Sequence, residues 1–223
     1  MERSEPTGAP VLDAPAGDRY LLLADISGFT SFMASVEEAH GVDFSNGIPA
    51  AYSLLGDLLD GVIDALRPDF DLVKLEGDAV FACAPAARLD GRGEAVLERI
   101  RAMYRRFVAD RTRAIPSSDH ICTACPNVAY LDLKVVLHRG LAVRQSVGGG
   151  SDMLGPAVTV AHRLLKNRIR ERIGYEPYLF ATDAAATGLG LAGVGLAHSE
   201  EYPGSTAVEG VILELGEPLR PSA

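Results

Sequence analysis

Disulfide chemistry is the first thing this sequence lacks. Three cysteines in 223 residues, an odd number, give no framework of bridges. Long apolar runs are also missing: no stretch approaches the roughly 20 residues that a membrane helix needs. The N-terminus has no basic-then-apolar order of a secretory signal. Positive charge is in deficit, 21 Lys and Arg against 30 Asp and Glu, for a net charge of −9 and a pI near 5.0. Neither nucleic acid nor an anionic membrane is therefore expected as the main partner. No internal repeat is found. What is present is a 48% hydrophobic chain of 23.6 kDa, enough for a sizeable core in one α/β domain. A soluble, cytoplasmic protein is expected.

Residues 1–18 are rich in Pro, Gly, Ala and acids without periodicity and read as a flexible leader. Residues 19–216 read as the folded domain and 217–223 as a tail. An apolar run, Tyr20 to Ala24, reads as a buried strand, followed by a helix from Phe29 to Glu38. Apolar residues at Ile48, Ala51, Tyr52, Leu55, Leu59, Val62 and Leu66 recur at helical spacing, closed by Pro68. Two apolar runs, Phe70 to Leu75 and Ala79 to Cys83, flank a Glu-Gly turn and predict a hairpin. After a charged loop, Arg88 to Glu94, Val96, Ile100, Met103, Tyr104, Phe107 and Val108 share one helix face, with arginines on a solvated face opposite. Beyond an irregular segment, Ile115 to Asn127, strand alternation sets Leu131, Leu133, Val135 and Leu137 against Lys134, Val136 and His138. Gly140 interrupts that pattern, and Gly148 to Gly150 reads as a flexible loop. Gly155-Pro156 opens one further helix, with Val158, Ala161, Leu164, Leu165 and Ile169 inward. Strands at Pro177 to Ala181 and Ala207 to Leu215 follow. The order predicts an α/β or α+β fold, a mixed sheet covered by helices.

Two short stretches carry chemistry. In Asp25-Ile26-Ser27-Gly28-Phe29-Thr30 an acid ends a strand, a glycine turns the chain and a helix begins. The exposed amides of a first helical turn attract anions, and a carboxylate attracts the cation that accompanies them. The second stretch, Lys74-Leu75-Glu76-Gly77-Asp78, places Asp78 just past the hairpin turn. If the hairpin lies beside the first strand, Asp25 and Asp78 meet, and adjacent carboxylates are costly unless a cation sits between them. Taken singly, either acid is more often a turn former or helix cap.

These residues resemble the class III nucleotidyl cyclase catalytic domain, over roughly Asp18 to Leu215. Asp25 to Thr30 is similar to that family's Asp-Ile-x-Gly-Phe-Thr, and Lys74 to Asp78 to its Lys-x-x-Gly-Asp. Val136-Leu137-His138-Arg139-Gly140 is similar to its Gly-Ile-His-x-Gly. Asp152, Gly155, Val158, Ala161 and Arg163 match its Asp-x-x-Gly-x-x-Val-x-x-Ala-x-Arg. The resemblance implies a ferredoxin-like, palm-type sheet flanked by helices. It implies two Mg²⁺ or Mn²⁺ ions on Asp25, Asp78 and the backbone carbonyl of Ile26, with phosphates on the amides of Gly28, Phe29 and Thr30. Lys74 and Asp152 would read the base of ATP, and Arg163 would stabilise charge at the α-phosphate. A head-to-tail homodimer would complete each site with groups from both subunits. Two positions depart: Thr159 stands where the family has Asn, and Glu209-Gly210 where it has a triphosphate-binding Lys, for which Lys166 or Arg168 is the candidate substitute. The implied activity is formation of a 3′,5′-cyclic nucleotide, cAMP by preference. The alternative is a non-catalytic nucleotide-binding or interaction module on the same fold.

His120-x-Cys122-x-x-Cys125 has metal-ligand spacing. It could hold a structural zinc if His138, Cys83 or a partner subunit supplied a fourth ligand; a reduced CxxC pair in a loop equally needs no metal. Cys83 reads as buried packing, and His138 as a hydrogen-bonded strand-end residue rather than a general base. The basic face of the last long helix lacks the interleaved aromatics of an RNA-binding stripe.

Overall fold

The computed structural model describes residues 16–216 apart from 46, 49, 116–121, 123, 149, 175 and 176. Its centre is β1 (Gly17–Ser27), which pairs antiparallel with β3 (Ala79–Pro85) on one side and β4 (Asp132–Val147) on the other. β1 is buried on both faces. Tyr20, Leu22, Ala24 and Ile26 join the larger core, while Leu21 and Leu23 join a second core on the opposite side. Full burial of each such side chain is worth roughly 1.5–3 kcal/mol. The strand that carries Asp25 near its C-terminal end is thus held by packing on both faces.

The rest of the sheet adds β2 (Asp71–Glu76), β5 (Gly150–Leu154), β6 (Tyr178–Thr182), β7 (Leu196–Glu200) and β8 (Val208–Glu214). Its order is β2-β3-β1-β4-β6-β8-β7, with β5 folded back on β4. Among the described residues only the β4–β6 pairing is parallel. One face is covered by α1 (Phe29–His40), α2 (Ala50–Leu66), α4 (Gly93–Arg113) and α7 (Asp183–Leu189), and α3 (Ala86–Leu89) packs at its margin. The other face is covered by α5 (Pro156–Leu164) and α6 (Ile169–Ile173). The mixed α+β sheet flanked by helices agrees with the sequence expectation.

Several local expectations change. β1 starts at Gly17, inside the expected leader, whose residues 1–15 lie outside the described ones, as does the tail 217–223. Gly140 does not interrupt β4, which runs unbroken past it, so His138 is mid-strand rather than at a strand end. Gly140 fits there because a Cβ would meet the Ala157 Cβ at 3.0 Å: it is a close approach to α5, not a break. Gly148 turns the chain and Gly150 already begins β5, so the expected loop is a tight β4–β5 return. The single helix expected from Gly155 divides into α5 and α6, with Asn167 between them. Its side chain accepts from the Ile169 amide and the Tyr178 hydroxyl, local bonds that compete with helix continuation. Not all arginines of α4 are solvated. Arg111 is buried and donates to the carbonyl of Leu131, fixing the entry to β4.

Candidate functional site

Strand parity sets the site. Leu21 and Leu23 face α5, and Asp25, two residues on, falls on the same face. The hairpin does the rest. Glu76 pairs with Ala79, leaving a two-residue loop, Gly77-Asp78, with Gly77 at φ 65°, the arrangement of a type II′ turn. β3 in turn pairs with β1 so that Ala79 lies opposite Asp25, and the Ile26 amide donates to the Asp78 carbonyl at 3.3 Å. Asp25 and Asp78, 53 positions apart in the chain, therefore line one cavity of about 340 Å³ with Ile26, Ser27, Gly28, Phe29 and Thr30. Gly28 takes φ 84° as the residue before α1, a left-handed conformation suited to glycine. The first-turn residues of α1, Phe29 to Ser31, line the cavity, and the first amides of a helix have no intrahelical acceptor.

The electrostatics of the cavity are those of crowded acids. Burial, and then the charge of Asp25, push the Asp78 carboxyl above its ordinary value. Lys134, opposite Asp25 in the β1–β4 register, places its ammonium 2.9 Å from the Asp25 carboxylate, with both side chains less than a quarter exposed. Ser27 Oγ, on the same wall, is buried and has no hydrogen-bond partner among the described residues. Two carboxylates with a neighbouring unpaired hydroxyl are a hard-oxygen donor set. These residues fit Mg²⁺ or Mn²⁺ rather than a soft metal. The basic groups beside them are Lys134 and Arg170. Lys166 and Arg168, the substitutes expected from sequence, do not line the cavity.

A second polar cluster lies where β2 meets β5. Lys74 donates to Asp152 at 2.8 Å and lies 3.3 Å from Glu76, and the His162 ring contacts Glu76 at 2.7 Å. The hydrogen bond to Asp152 raises the Lys74 pKa against the effect of burial. Burial alone would raise Asp152, but the bonds from Lys74 and the Met153 amide outweigh it and hold the carboxyl below its usual range. The two residues expected to read a base are thus brought together. On α5, Thr159 is exposed one turn before Arg163. The Arg163 guanidinium donates to Ser205 at 2.7 Å and sits over the Tyr202 ring. Glu209 accepts from Ser199 at 2.8 Å. None of Lys74, Asp152, Thr159 and Arg163 lines the Asp25–Asp78 cavity.

Of His120, Cys122 and Cys125, the two cysteines are brought together. His120 lies outside the described residues, and the imidazole beside Cys122 and Cys125 is His40, at 2.9 and 3.2 Å from the two sulfurs. Cys83 is buried against Arg144, His138 is bonded to Thr182, and neither joins the group of His40, Cys122 and Cys125. Burial drives the His138 pKa down to about 4. It is a neutral, hydrogen-bonded residue.

Comparison with known proteins follows from this geometry. The model of a family described as "Protein of unknown function (DUF2652)" matches residues 55–173, more than half of the chain. The chain belongs to that family. The uncharacterized protein Rv2561/Rv2562 of Mycobacterium tuberculosis is 33% identical over 132 residues, 59% of this chain and 58% of that protein. This chain therefore matches little more than half the length of that relative. Among solved structures, the adenylyl cyclase CyaB of P. aeruginosa superposes with a TM-score of 0.61 at 15% identity, covering 90% of this chain and 95% of that one. A class III adenylyl cyclase-like ATP-binding protein from Pseudomonas aeruginosa gives 0.52 at 18% identity, covering 78% and 35%. At these identities the likeness is one of fold, and the fold is that of class III cyclase catalytic domains.

Sequence reasoning overlooked Lys134, Arg170, Glu76, His162 and His40. Lys134 left a signal, as the one basic residue within the run Leu131 to Leu137. Glu76 shares a strand face with Lys74, two residues before it. His40 is 82 residues from Cys122, and no spacing rule reaches it.

Proposed function

We propose that this protein binds a purine nucleoside triphosphate with divalent cations and forms a 3′,5′-cyclic nucleotide, ATP being the preferred substrate. The observation that carries the reading is the shared cavity of Asp25 and Asp78 in front of the α1 start. Asp25, Asp78 and the Ile26 carbonyl would hold Mg²⁺ or Mn²⁺. Bound there, two such ions favour ionisation of the ribose 3′-hydroxyl and neutralise phosphate charge. The chain's own groups do the positioning. First-turn amides of α1 receive phosphate oxygens, and Lys134 and Arg170 add the positive charge that Glu209 cannot. Lys74 and Asp152 offer a donor and an acceptor to the edge of a purine. In the reaction the 3′-oxygen loses its proton and bonds to the α-phosphorus, while the bond to the β-phosphate bridging oxygen breaks and pyrophosphate leaves. Arg163 would counter the charge that develops at the α-phosphate.

The acidic cavity and the Lys74–Asp152 cluster are separate in one protomer, so a complete site calls for a second copy placed head to tail. Leu72 and Leu75 on β2, Leu141 on β4 and Leu154 on β5 are exposed and offer apolar surface for such a partner. A second reading is nucleotide binding without turnover. It is favoured by Arg163, which is engaged by Ser205 and Tyr202, and by Thr159, which is shorter than the family's Asn.

Incubation with ATP, GTP, CTP and UTP plus Mn²⁺, with Asp25→Ala as control, tests turnover. Cyclic product above the control supports the enzyme. Calorimetric nucleotide binding without product selects the second reading, and no binding overturns both.

A further inference from the structure

We infer that His40, Cys122 and Cys125 form a zinc site that pins the C-terminal end of α1 to the segment leading into β4. The inference does not depend on nucleotide binding. Its three ligand atoms lie within 4.8 Å of one another. They come from two elements far apart in the chain: His40 closes α1, while Cys122 and Cys125 flank the start of a 3-10 turn at Cys125–Tyr130.

Three features of the geometry favour a metal over simple packing. A single ring nitrogen, Nε2 of His40, faces both sulfurs, at 2.9 and 3.2 Å, although it has only one proton or one lone pair to offer. A cation with several open positions resolves that conflict. Next, the amides of Ala124 and Cys125 point at the Cys122 sulfur, at 3.3 and 3.4 Å, an arrangement that favours the thiolate a metal requires. Finally, the distances suit a small tetrahedral ion. Zn–S near 2.3 Å and Zn–N near 2.05 Å put sulfur and nitrogen about 3.6 Å apart. The observed separations of 2.9 and 3.2 Å reach that value by opening about 0.7 and 0.4 Å. Two thiolates and an imidazole select zinc over magnesium, so this site does not compete with Asp25 and Asp78 for its ion.

The fourth position opens toward a cavity of about 440 Å³ that His40 and Cys125 help to line. Glu37, one helical turn before His40, lines it too. The Glu37 carboxylate does not join the three clustered ligand atoms, so water completes the shell. Twelve residues of α1 separate this site from Gly28, a span of about 18 Å. Zinc at one end of α1 therefore steadies the helix whose other end borders the acidic cavity.

The test is metal content of the full chain after growth with zinc and gel filtration, read by elemental mass spectrometry. One zinc per chain is expected in the wild type and in Cys83→Ser. His40→Ala, Cys122→Ser and Cys125→Ser should each weaken binding by about tenfold or more. His40→Cys, which keeps a ligand at that position, should retain the metal and guards against a folding defect in His40→Ala. Cobalt in place of zinc should show a thiolate charge-transfer band that weakens in either serine variant. Zinc binding unaffected by His40→Ala would overturn the site. So would a zinc-free wild type whose Cys122 and Cys125 simply oxidise to a disulfide.

Discussion

Lys134 is the residue whose removal is most informative about the acidic cavity. Its ammonium lies 2.9 Å from Asp25, and both side chains are less than a quarter exposed. At that distance and an effective dielectric of about 20, the gross attraction is roughly 6 kcal/mol. Lost hydration offsets most of it, leaving the roughly 1.5–3 kcal/mol typical of a hydrogen bond between charged groups. Lys134→Met keeps the stem length and removes the charge. It leaves Asp25 and Asp78 facing one another with no cation. Without divalent metal, the melting temperature should fall by roughly 3–12 °C, given about 2–4 °C per kcal/mol for a domain of this size. Manganese at about a hundred times its dissociation constant should return about 2.7 kcal/mol. Because the ammonium no longer competes for Asp25, Mn²⁺ should bind this variant more tightly than the wild type. Differential scanning fluorimetry and calorimetry with Mn²⁺ alone read both effects. Unchanged melting together with unchanged or weaker Mn²⁺ binding would refute the reasoning.

Asp78→Asn should abolish Mn²⁺ binding while stabilising the metal-free protein at neutral pH. The raised carboxyl pKa means that the folded state holds a proton the unfolded chain has released, so stability falls as pH rises from about 4 through the folded value. The gap between variant and wild type should therefore close below about pH 4, as urea titrations across pH would show. His138, depressed from 6.5 to about 4 by burial, has the opposite sign: the unfolded chain takes up the proton first, so stability falls as pH drops through that window. The loss should total about 3 kcal/mol at 1.36 kcal/mol per unit, and His138→Gln should flatten it. Lys74→Met should weaken ATP binding about tenfold or more while leaving Mn²⁺ affinity unchanged, because Lys74 lies outside the acidic cavity. Equal losses of both would contradict the separation of the two clusters.

The sequence revealed most where local rules act. Strand parity carries Leu21 and Leu23 into the core and brings Asp25 onto their face, and Glu-Gly-Asp between apolar runs makes the hairpin. Both signals are short-range, and together they bring the two aspartates to one cavity. The alternation from Leu131 to His138 was legible for the same reason. Long-range pairing was not. Lys134 opposite Asp25 depends on which strand β1 chose as a neighbour, and His40 beside Cys122 depends on how α1 packs. Boundaries also slipped where a side chain competes with the backbone. Asn167 divides α5 from α6 through its own hydrogen bonds, and helical periodicity runs through that break unaltered. Glycine was misleading at position 140, where the missing side chain admits Ala157 instead of ending the strand.

The most direct measurement of the central claim is anomalous diffraction at the manganese edge from crystals soaked with Mn²⁺ and a non-hydrolysable ATP analogue. A peak within about 2.0–2.3 Å of carboxylate oxygens from both Asp25 and Asp78, with Lys134 displaced from Asp25, is the expected result. No peak in that cavity, with Lys134 still paired to Asp25 at saturating metal, would contradict the account.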